Sequence, residues 1–344
     1  MADESYVVRG VAGPDEQLPP LKINERKRRK APPTMPPPPF LMAMWGNRGA
    51  GKTTNLIKLI RWYDLYDAFD RYVVFTPSTE DPKWQAMAKE KLKGKLELVS
   101  DYSEAQLGRI KREQTDAITQ FDRHELAIQA YKKYCKRNQQ PERLSEAERL
   151  LLHEYNFADP EATKKFERGV PSALVAFDDQ VGNNLVYKHN CQNEVGRTSL
   201  RHRHANMSFV YMCQVYRNGL PAGLRFNVNV CMFFANKSEA EKYRVAEEAS
   251  AFCSPDEFVT MWTYATECDP MAHGFFMVYF DPAKPEWRFR RNFNQLIIPS
   301  GRTTEEEDKN EEEEQQQQQP PDPKRKKKND QTGEQKEQQG KLVV

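Results

Sequence analysis

The 344-residue sequence lacks three features that would assign it to a class at once. Its six cysteines contain no C-x-x-C pair, which favours reduced thiols in a cytosolic or nuclear compartment over a disulfide framework. It has no apolar run of transmembrane length and no signal peptide, so we expect no membrane span. Its net charge of +2 provides no global basic field, so any nucleic-acid surface must be local.

Composition divides the chain into three regions. Residues 1–37 form a basic, proline-rich arm that we expect to be disordered, and residues 300–344 form an acidic, glutamine-rich and then basic tail that we also expect to be disordered. Residues 38–299 are long enough for one large core. The basic clusters at 25–30 and 324–328 are each interpreted as a nuclear-import signal or a solubilising segment, and the first also as a nucleic-acid contact.

A glycine-rich loop follows the first apolar run, which spans 40–45. Residues 46–53 fit the pattern G-x-x-x-x-G-K-[ST], and apolar residues at helical spacing follow. A strand, a glycine loop and a helix in this order predict a site where backbone N–H groups and the helix dipole bind phosphate, so ATP and Mg²⁺ are the expected ligands. Lys52 would reach the β- and γ-phosphates, and Thr53 would bind Mg²⁺. The predicted nucleotide contacts are Gly46, Asn47, Arg48, Gly49, Ala50, Gly51, Lys52, Thr53 and Thr54.

A second apolar run, at 171–177, ends in two acids, Asp178 and Asp179. Downstream of a phosphate loop, such a strand delivers its first carboxylate to the metal ion and places the second where it can accept a proton from the attacking water. The alternative is a polar strand end that only caps the next turn.

Gln214 ends the next buried run, which spans 208–213. A polar residue at that strand tip would lie beside the γ-phosphate, where it senses the phosphate or orients water. The basic segment before this strand carries Arg201 and Arg203, and Arg225 follows in a turn that leads to a fifth strand at 228–234.

Two capping boxes, at 103–106 and 145–148, predict a charged helical insertion over about 103–156. An amphipathic pair packed on the sheet edge is the favoured interpretation, and a lid, a subunit contact or a DNA-facing arm are the alternatives. The remaining predicted elements are strands at 71–76 and 95–99, helices at 81–93, 238–250 and from 254, and an antiparallel pair at 274–280 and 287–291.

Five segments together resemble the poxvirus-type genome-packaging ATPases of large DNA viruses, which belong to the FtsK–HerA superfamily. These segments are GNRGAGKT, LVAFDD, RHAN, the strand ending in Gln214, and LPAGLRFNVN, and they cover about 40–236. The resemblance implies an α/β fold: a RecA-like P-loop ASCE sheet flanked by helices, with the helical insertion between the second and third motif strands. It also implies a homo-oligomeric ring that uses ATP hydrolysis to move double-stranded DNA into a capsid, with capsid or portal-vertex proteins as partners.

The resemblance also assigns roles to individual residues. Asp178 would hold Mg²⁺, Gln214 would be the sensor, and Asp179 would stand where the superfamily often has a glutamate base. Because aspartate is one methylene shorter, the geometry of the attacking water is open. An arginine from the neighbouring subunit would complete the site, with Arg203 the first candidate and Arg201 and Arg225 after it.

Two other classes of function remain open. One is a nucleotide or small-molecule kinase with the same phosphate loop, against which the Asp-Asp tip and Gln214 on a neighbouring strand argue. The other is a nucleotide-gated scaffold without hydrolysis. A packaging ATPase would act in the host nucleus, in a cytoplasmic virus factory or in the virion.

Overall fold

The computed structural model describes residues 29–90, 92, 94–180, 183–187, 190–216, 219–249, 252–267 and 273–298. The strands are β1 (Leu41–Trp45), β2 (Arg71–Phe75), β3 (Leu96–Val99), β4 (Ala173–Phe177), β5 (Met207–Cys213), β6 (Val230–Phe234), β7 (Phe275–Tyr279), β8 (Phe289–Arg291) and β9 (Gln295–Leu296). The helices are α1 (Lys52–Leu65), α2 (Pro82–Glu90), α3 (Glu104–Lys136), α4 (Glu146–His153), α5 (Asn184–Tyr187), α6 (Glu194–Leu200), α7 (Ala222–Arg225), α8 (Glu239–Ala249) and α9 (Pro255–Glu267). The predictions for 1–28, for Cys268 and for 300–344 lie outside the described residues.

Within the described ranges, nine strands form one mixed sheet in the order β3-β2-β4-β5-β1-β6-β7-β8-β9. The strands from β3 to β6 in this order pair in parallel, and β7, β8 and β9 continue the sheet in antiparallel pairing. The strand that precedes the phosphate loop, β1, is separated from the strand that ends in the two acids, β4, by β5 alone. The expected antiparallel pair is present as β7 and β8, and β9 is added to it.

Both faces of the sheet are buried, which explains why its strands read as continuous apolar runs. Along β1, Leu41 and Ala43 pack into the core on one face, and Met42 and Met44 into the core on the other. Helices α1 and α2 cover the second face, whereas α3, α6, α8 and α9 cover the first. The fold is therefore an α/β sheet flanked by helices, as the sequence predicts.

The carboxyl ends of β1, β4 and β5 meet at one edge of the sheet because these strands are parallel and in register. Trp45 is paired with Cys213, and Phe177 is paired with Tyr211, two residues before the end of β5. The segments that follow the three strands, which carry the phosphate loop, the two acids and Gln214, thus leave the sheet side by side.

The helical insertion is present, and its first part packs on the sheet. Leu107 and Ile110 of α3 join the main core, and Gln114 donates a hydrogen bond to the carbonyl of Pro171 at 2.8 Å. Further along α3, Ile118 and Phe121 form a small cluster with Val170, and Ala130 forms another with Leu144 and with Leu152 of α4. The favoured interpretation thus describes the first part only, and the roles of lid, subunit contact and DNA arm stay open.

The two expected capping boxes differ. At Ser145 both reciprocal hydrogen bonds with Glu148 form, so this prediction is confirmed. At Ser103 only half of the box forms: its hydroxyl accepts from the backbone N–H of Gln106, and the Gln106 side chain accepts a bond from that same hydroxyl instead of bonding the cap N–H. The helix that begins after Ser145 ends at His153, before the expected Tyr155.

The arm was expected to be disordered as far as residue 37, but its described part packs on the domain. Arg29 is buried, donates to the carbonyl of Val170 at 2.8 Å and pairs with Asp70 at 2.7 Å. The hydroxyl of Tyr63 donates to the carbonyl of Pro36 at 2.8 Å. The prediction of disorder from a basic and proline-rich composition is therefore wrong for this described part, because the contacts that order it are with residues distant in sequence. Among the described residues, no helix is both long enough and apolar enough to cross a bilayer.

Candidate nucleotide-binding site

The phosphate loop wraps from the end of β1 into α1. Gly49 and Gly51 have φ angles of 79° and 94°, in the left-handed region that favours glycine. A Cβ atom added to Gly51 would lie 2.3 Å from the Cβ atom of His273, so a second constraint also requires glycine there. The loop is tied to the sheet by the N–H of Gly46, which donates to the carbonyl of Cys213 at 3.2 Å.

Lys52 points its ammonium group into this loop. The ammonium donates to the carbonyl of Gly46 at 2.6 Å and to that of Asn47 at 3.0 Å. Burial lowers the pKa of Lys52, while the nearby charges of Asp179 and Asp178 oppose that shift. A cation held in this way, between a glycine loop and two carboxylates, is placed to meet phosphate oxygens.

Asp178 is the most buried acid of the site, with 3% of its surface exposed. One carboxylate oxygen accepts from the hydroxyl of Thr53 at 2.9 Å, and the other accepts from the indole N–H of Trp84 at 3.3 Å and the hydroxyl of Thr76 at 3.4 Å. Burial raises the pKa of Asp178, and the bonds from Thr53 and Trp84 oppose the rise. The start of α1 and the tip of β4, which are 125 residues apart in sequence, are therefore in direct contact.

Asp179 is exposed, and its backbone is left-handed, with a φ angle of 51°, so the chain leaves the strand conformation there. Its carboxylate accepts a hydrogen bond from the side-chain amide of Gln214 at 3.4 Å. Aspartate tolerates left-handed backbone better than most residues, yet such a conformation still costs free energy and is common at functional sites. The strand tip thus presents one buried acid and one accessible acid, the second of them beside Gln214.

A cavity of about 390 Å³ joins these groups. A hydroxyl from Thr53 and a carboxylate from Asp178, in contact with each other, are hard oxygen donors of the kind that Mg²⁺ binds while it keeps water and phosphate oxygens as further ligands. The residues present therefore fit a magnesium–triphosphate complex. The lining residues are Arg48, Gly49, Gly51, Lys52, Thr53, Thr54, Ser78, Asp81, Lys83, Trp84, Asp178, Asp179, Met212, Gln214 and His273.

The predicted arginines do not reach this cavity in the same chain. Arg201 and Arg203 are exposed and precede β5, whereas Gln214 follows it, and a strand of that length spans about 20 Å. The guanidinium of Arg225 lies 3.3 Å from the carboxylate of Glu248 and donates to the carbonyl of Leu220, with 11% of its side chain exposed. Among the described residues Arg201 and Arg203 form no ion pair, so a contact with another subunit would break none there, whereas Arg225 would have to leave its pair with Glu248.

Seven residues of the site were not predicted from the sequence, namely Thr76, which bonds Asp178, and six that line the cavity: Ser78, Asp81, Lys83, Trp84, Met212 and His273. Thr76 directly follows β2, the strand paired with β4, and that pairing is the one signal that would have found it. Trp84 and Lys83 belong to α2, and His273 precedes β7, so their positions depend on how distant elements pack. The backbone carbonyl of His273 accepts from the side chain of Asn55 at 3.1 Å, which fixes it against the loop.

Comparisons with known proteins found similarity in solved structures alone. No family model matches the chain, and no curated protein does. The genome packaging NTPase B204 from Sulfolobus turreted icosahedral virus 2, solved with ATP-γ-S, is 9% identical with a TM-score of 0.41 over 76% of this chain and 99% of that one. The pCW3 conjugation coupling protein TcpA, also solved with ATP-γ-S, is 12% identical with a TM-score of 0.37 over 75% of this chain and 60% of that one.

EssC from Geobacillus thermodenitrificans, represented by its ATPases 2 and 3, is 14% identical with a TM-score of 0.36 over 66% of this chain and 42% of that one. These identities and scores are too low to support an argument about function.

Proposed function

We propose that this protein hydrolyses a nucleoside triphosphate, ATP in the first place, with the help of Mg²⁺. The 2.9 Å contact between Thr53 and Asp178 is the observation on which this proposal depends, because it brings the phosphate loop and the acid strand to one cavity. The loop N–H groups and Lys52 bind the phosphates, and Thr53 and Asp178 hold the metal ion. The bound Mg²⁺ supplies neutralisation of the charge that develops on the phosphate oxygens.

In this proposal Asp179 is the base for the attacking water, and Gln214 positions Asp179. The water oxygen forms a bond to the γ-phosphorus as the bond between that phosphorus and the β,γ-bridging oxygen breaks. The products are the nucleoside diphosphate and inorganic phosphate. Asp179 accepts the proton of the water, and Gln214, whose amide is 3.4 Å from that carboxylate, holds the acid in place. The exposed position of Asp179 lets water reach it.

We further propose that hydrolysis moves double-stranded DNA into a viral capsid. The support is the ordered set of segments GNRGAGKT, LVAFDD, RHAN and LPAGLRFNVN, together with a sheet order that places β5 between β1 and β4. In a ring of subunits, a neighbour's arginine would reach the γ-phosphate, so hydrolysis would change the interface between them. Capsid or portal-vertex proteins would be partners, and the nucleus, a virus factory or the virion would be the location.

An assay of ATP hydrolysis with and without double-stranded DNA tests the proposal. We expect the wild-type protein to hydrolyse ATP only with Mg²⁺ and faster with DNA, and we expect Lys52→Ala and Asp179→Asn to lose at least about 100-fold in rate. Lys58→Ala is the matched control, because Lys58 lies on the same helix and is exposed.

Other outcomes of this assay identify the alternative functions. Transfer of phosphate to a small acceptor at a rate indifferent to DNA would indicate a kinase. Nucleotide binding without turnover in the wild type would indicate a scaffold. Rescue of Arg203→Ala by Lys52→Ala subunits in mixed assemblies would place the arginine in trans, and no rescue would remove it from that role.

A further inference from the structure

Lys83 places a second ammonium group at the phosphate cavity. Its Nζ atom donates to the hydroxyl of Thr54 at 3.2 Å, and the residue lines the same cavity as Lys52 and Arg48. Thr54 directly follows Thr53, the residue in contact with the buried acid. The proposed roles of the phosphate loop and of the acid strand do not involve this lysine.

The first turn of α2 is fixed in two ways, so Lys83 is held near the loop. Asp81 caps the helix by accepting from the backbone N–H of Lys83 at 2.8 Å, and Pro82 occupies the first helical position. The next side chain, Trp84, is fully buried and donates to Asp178 at 3.3 Å. The helix that carries the lysine is thus attached to the proposed metal-binding acid itself.

The ammonium of Lys83 is available to an anion. Among the described residues its hydrogen bond is to a neutral hydroxyl, and no carboxylate pairs with it. A charge-assisted bond to a phosphate oxygen is shorter and stronger than a bond to a hydroxyl, so a nucleotide in the cavity would compete successfully for this donor. The four-carbon stem lets the ammonium turn from the hydroxyl to a phosphate without movement of the helix.

We propose that Lys83 is a second substrate-binding lysine, which contacts the phosphate chain of a nucleoside triphosphate from α2. The proposal rests on the proposed function, since it adds a contact to the same site. It also gives the cavity a cation from the same chain that acts independently of any arginine from a neighbour. Because the contact exists when the substrate is bound, its loss should act on KM more than on kcat.

Titration calorimetry and steady-state hydrolysis with Mg²⁺–ATP test the proposal on the full chain. We expect Lys83→Met to raise both the Kd and the KM about tenfold, the effect of losing one charged hydrogen bond, with kcat within about twofold of wild type. Lys83→Arg should recover most of the affinity. Lys89→Met is the control, because Lys89 is exposed in the last turn of the same helix.

The outcomes separate this proposal from the proposed function. A wild-type protein that neither binds nor hydrolyses a triphosphate would overturn both. An active wild type with Lys83→Met equal to Lys89→Met in Kd and KM would overturn the role of Lys83 alone. A lower melting temperature of Lys83→Met with unchanged KM would show that the lysine only joins α2 to Thr54, which also overturns it.

Discussion

Replacement of Trp84 by phenylalanine tests how the buried acid is held. The indole N–H donates to one oxygen of Asp178 at 3.3 Å, and Thr76 donates to the same oxygen at 3.4 Å. Phenylalanine keeps an aromatic ring in the core but removes the N–H donor. The carboxylate then loses one of three bonds that favour its charged form, so the pKa of Asp178, which burial already raises, should rise further.

The expected magnitude follows from the length of that bond. A hydrogen bond to a charged group contributes about 1.5–3 kcal/mol, and a 3.3 Å bond belongs at the weaker end. We therefore expect kcat/KM to fall about tenfold at neutral pH, since 1.4 kcal/mol corresponds to about one factor of ten. The acid limb of the pH–rate profile should move to higher pH, and the Mg²⁺ concentration that gives half of the maximal rate should increase.

Trp262→Phe is the control for damage to the core. Trp262 is also buried and donates its indole N–H, at 3.0 Å, to the backbone carbonyl of Phe234. Both variants should unfold at a lower temperature, but only Trp84→Phe should change the Mg²⁺ requirement and the acid limb. If both variants keep wild-type values for these two quantities, the reasoning about Asp178 is refuted.

Three further predictions compare neighbouring or related residues. Because burial raises the pKa of Asp178, the folded state binds its proton more tightly than the unfolded chain, so stability falls as the pH rises from the unfolded to the folded pKa. Asp178→Asn should therefore be more stable than wild type at neutral pH in denaturant titrations, and the gain should vanish toward pH about 4; a less stable variant at neutral pH would contradict this. Gly51→Ala should abolish nucleotide binding in calorimetry because its Cβ would meet His273, whereas Gly49→Ala, with nothing within 4 Å, should weaken it by about 1 kcal/mol only; equal effects would contradict the close contact. Arg225→Ala should cost about 3 kcal/mol of unfolding free energy by removing its ion pair with Glu248, and Arg203→Ala less than about 0.5 kcal/mol, both measured by urea unfolding; a destabilised Arg203→Ala would show that this arginine has a structural role.

The sequence predicted the elements whose signal is local. The run before the phosphate loop was expected at 40–45 and forms at Leu41–Trp45, and the capping box at Ser145 forms in full. Both depend on residues a few positions apart, either through apolar runs or through a hydroxyl and a carboxylate at fixed spacing. The meeting of the phosphate loop and the acids was also predictable, because parallel strands end at one edge of the sheet.

The rest of the site depends on contacts between residues distant in sequence. Trp84 reads as an ordinary apolar residue of a short helix, and only the packing of α2 on the sheet brings it to Asp178, 94 residues later. His273 reaches Gly51 because β7 pairs with β6, next to β1. Arg29 looked like part of a disordered basic arm because its partners, Asp70 and Val170, are far along the chain. No short window of the sequence contains both members of any of these contacting pairs.

The central claim is that the start of α1 and the tip of β4 bind one magnesium–triphosphate complex. Its most direct test is calorimetric titration of ATP into wild type and Asp178→Asn, each with and without Mg²⁺. We predict that Mg²⁺ tightens binding to wild type at least about tenfold, and that the variant binds ATP without this gain. A variant that keeps the full gain from Mg²⁺, or a wild type that shows none, would contradict the claim.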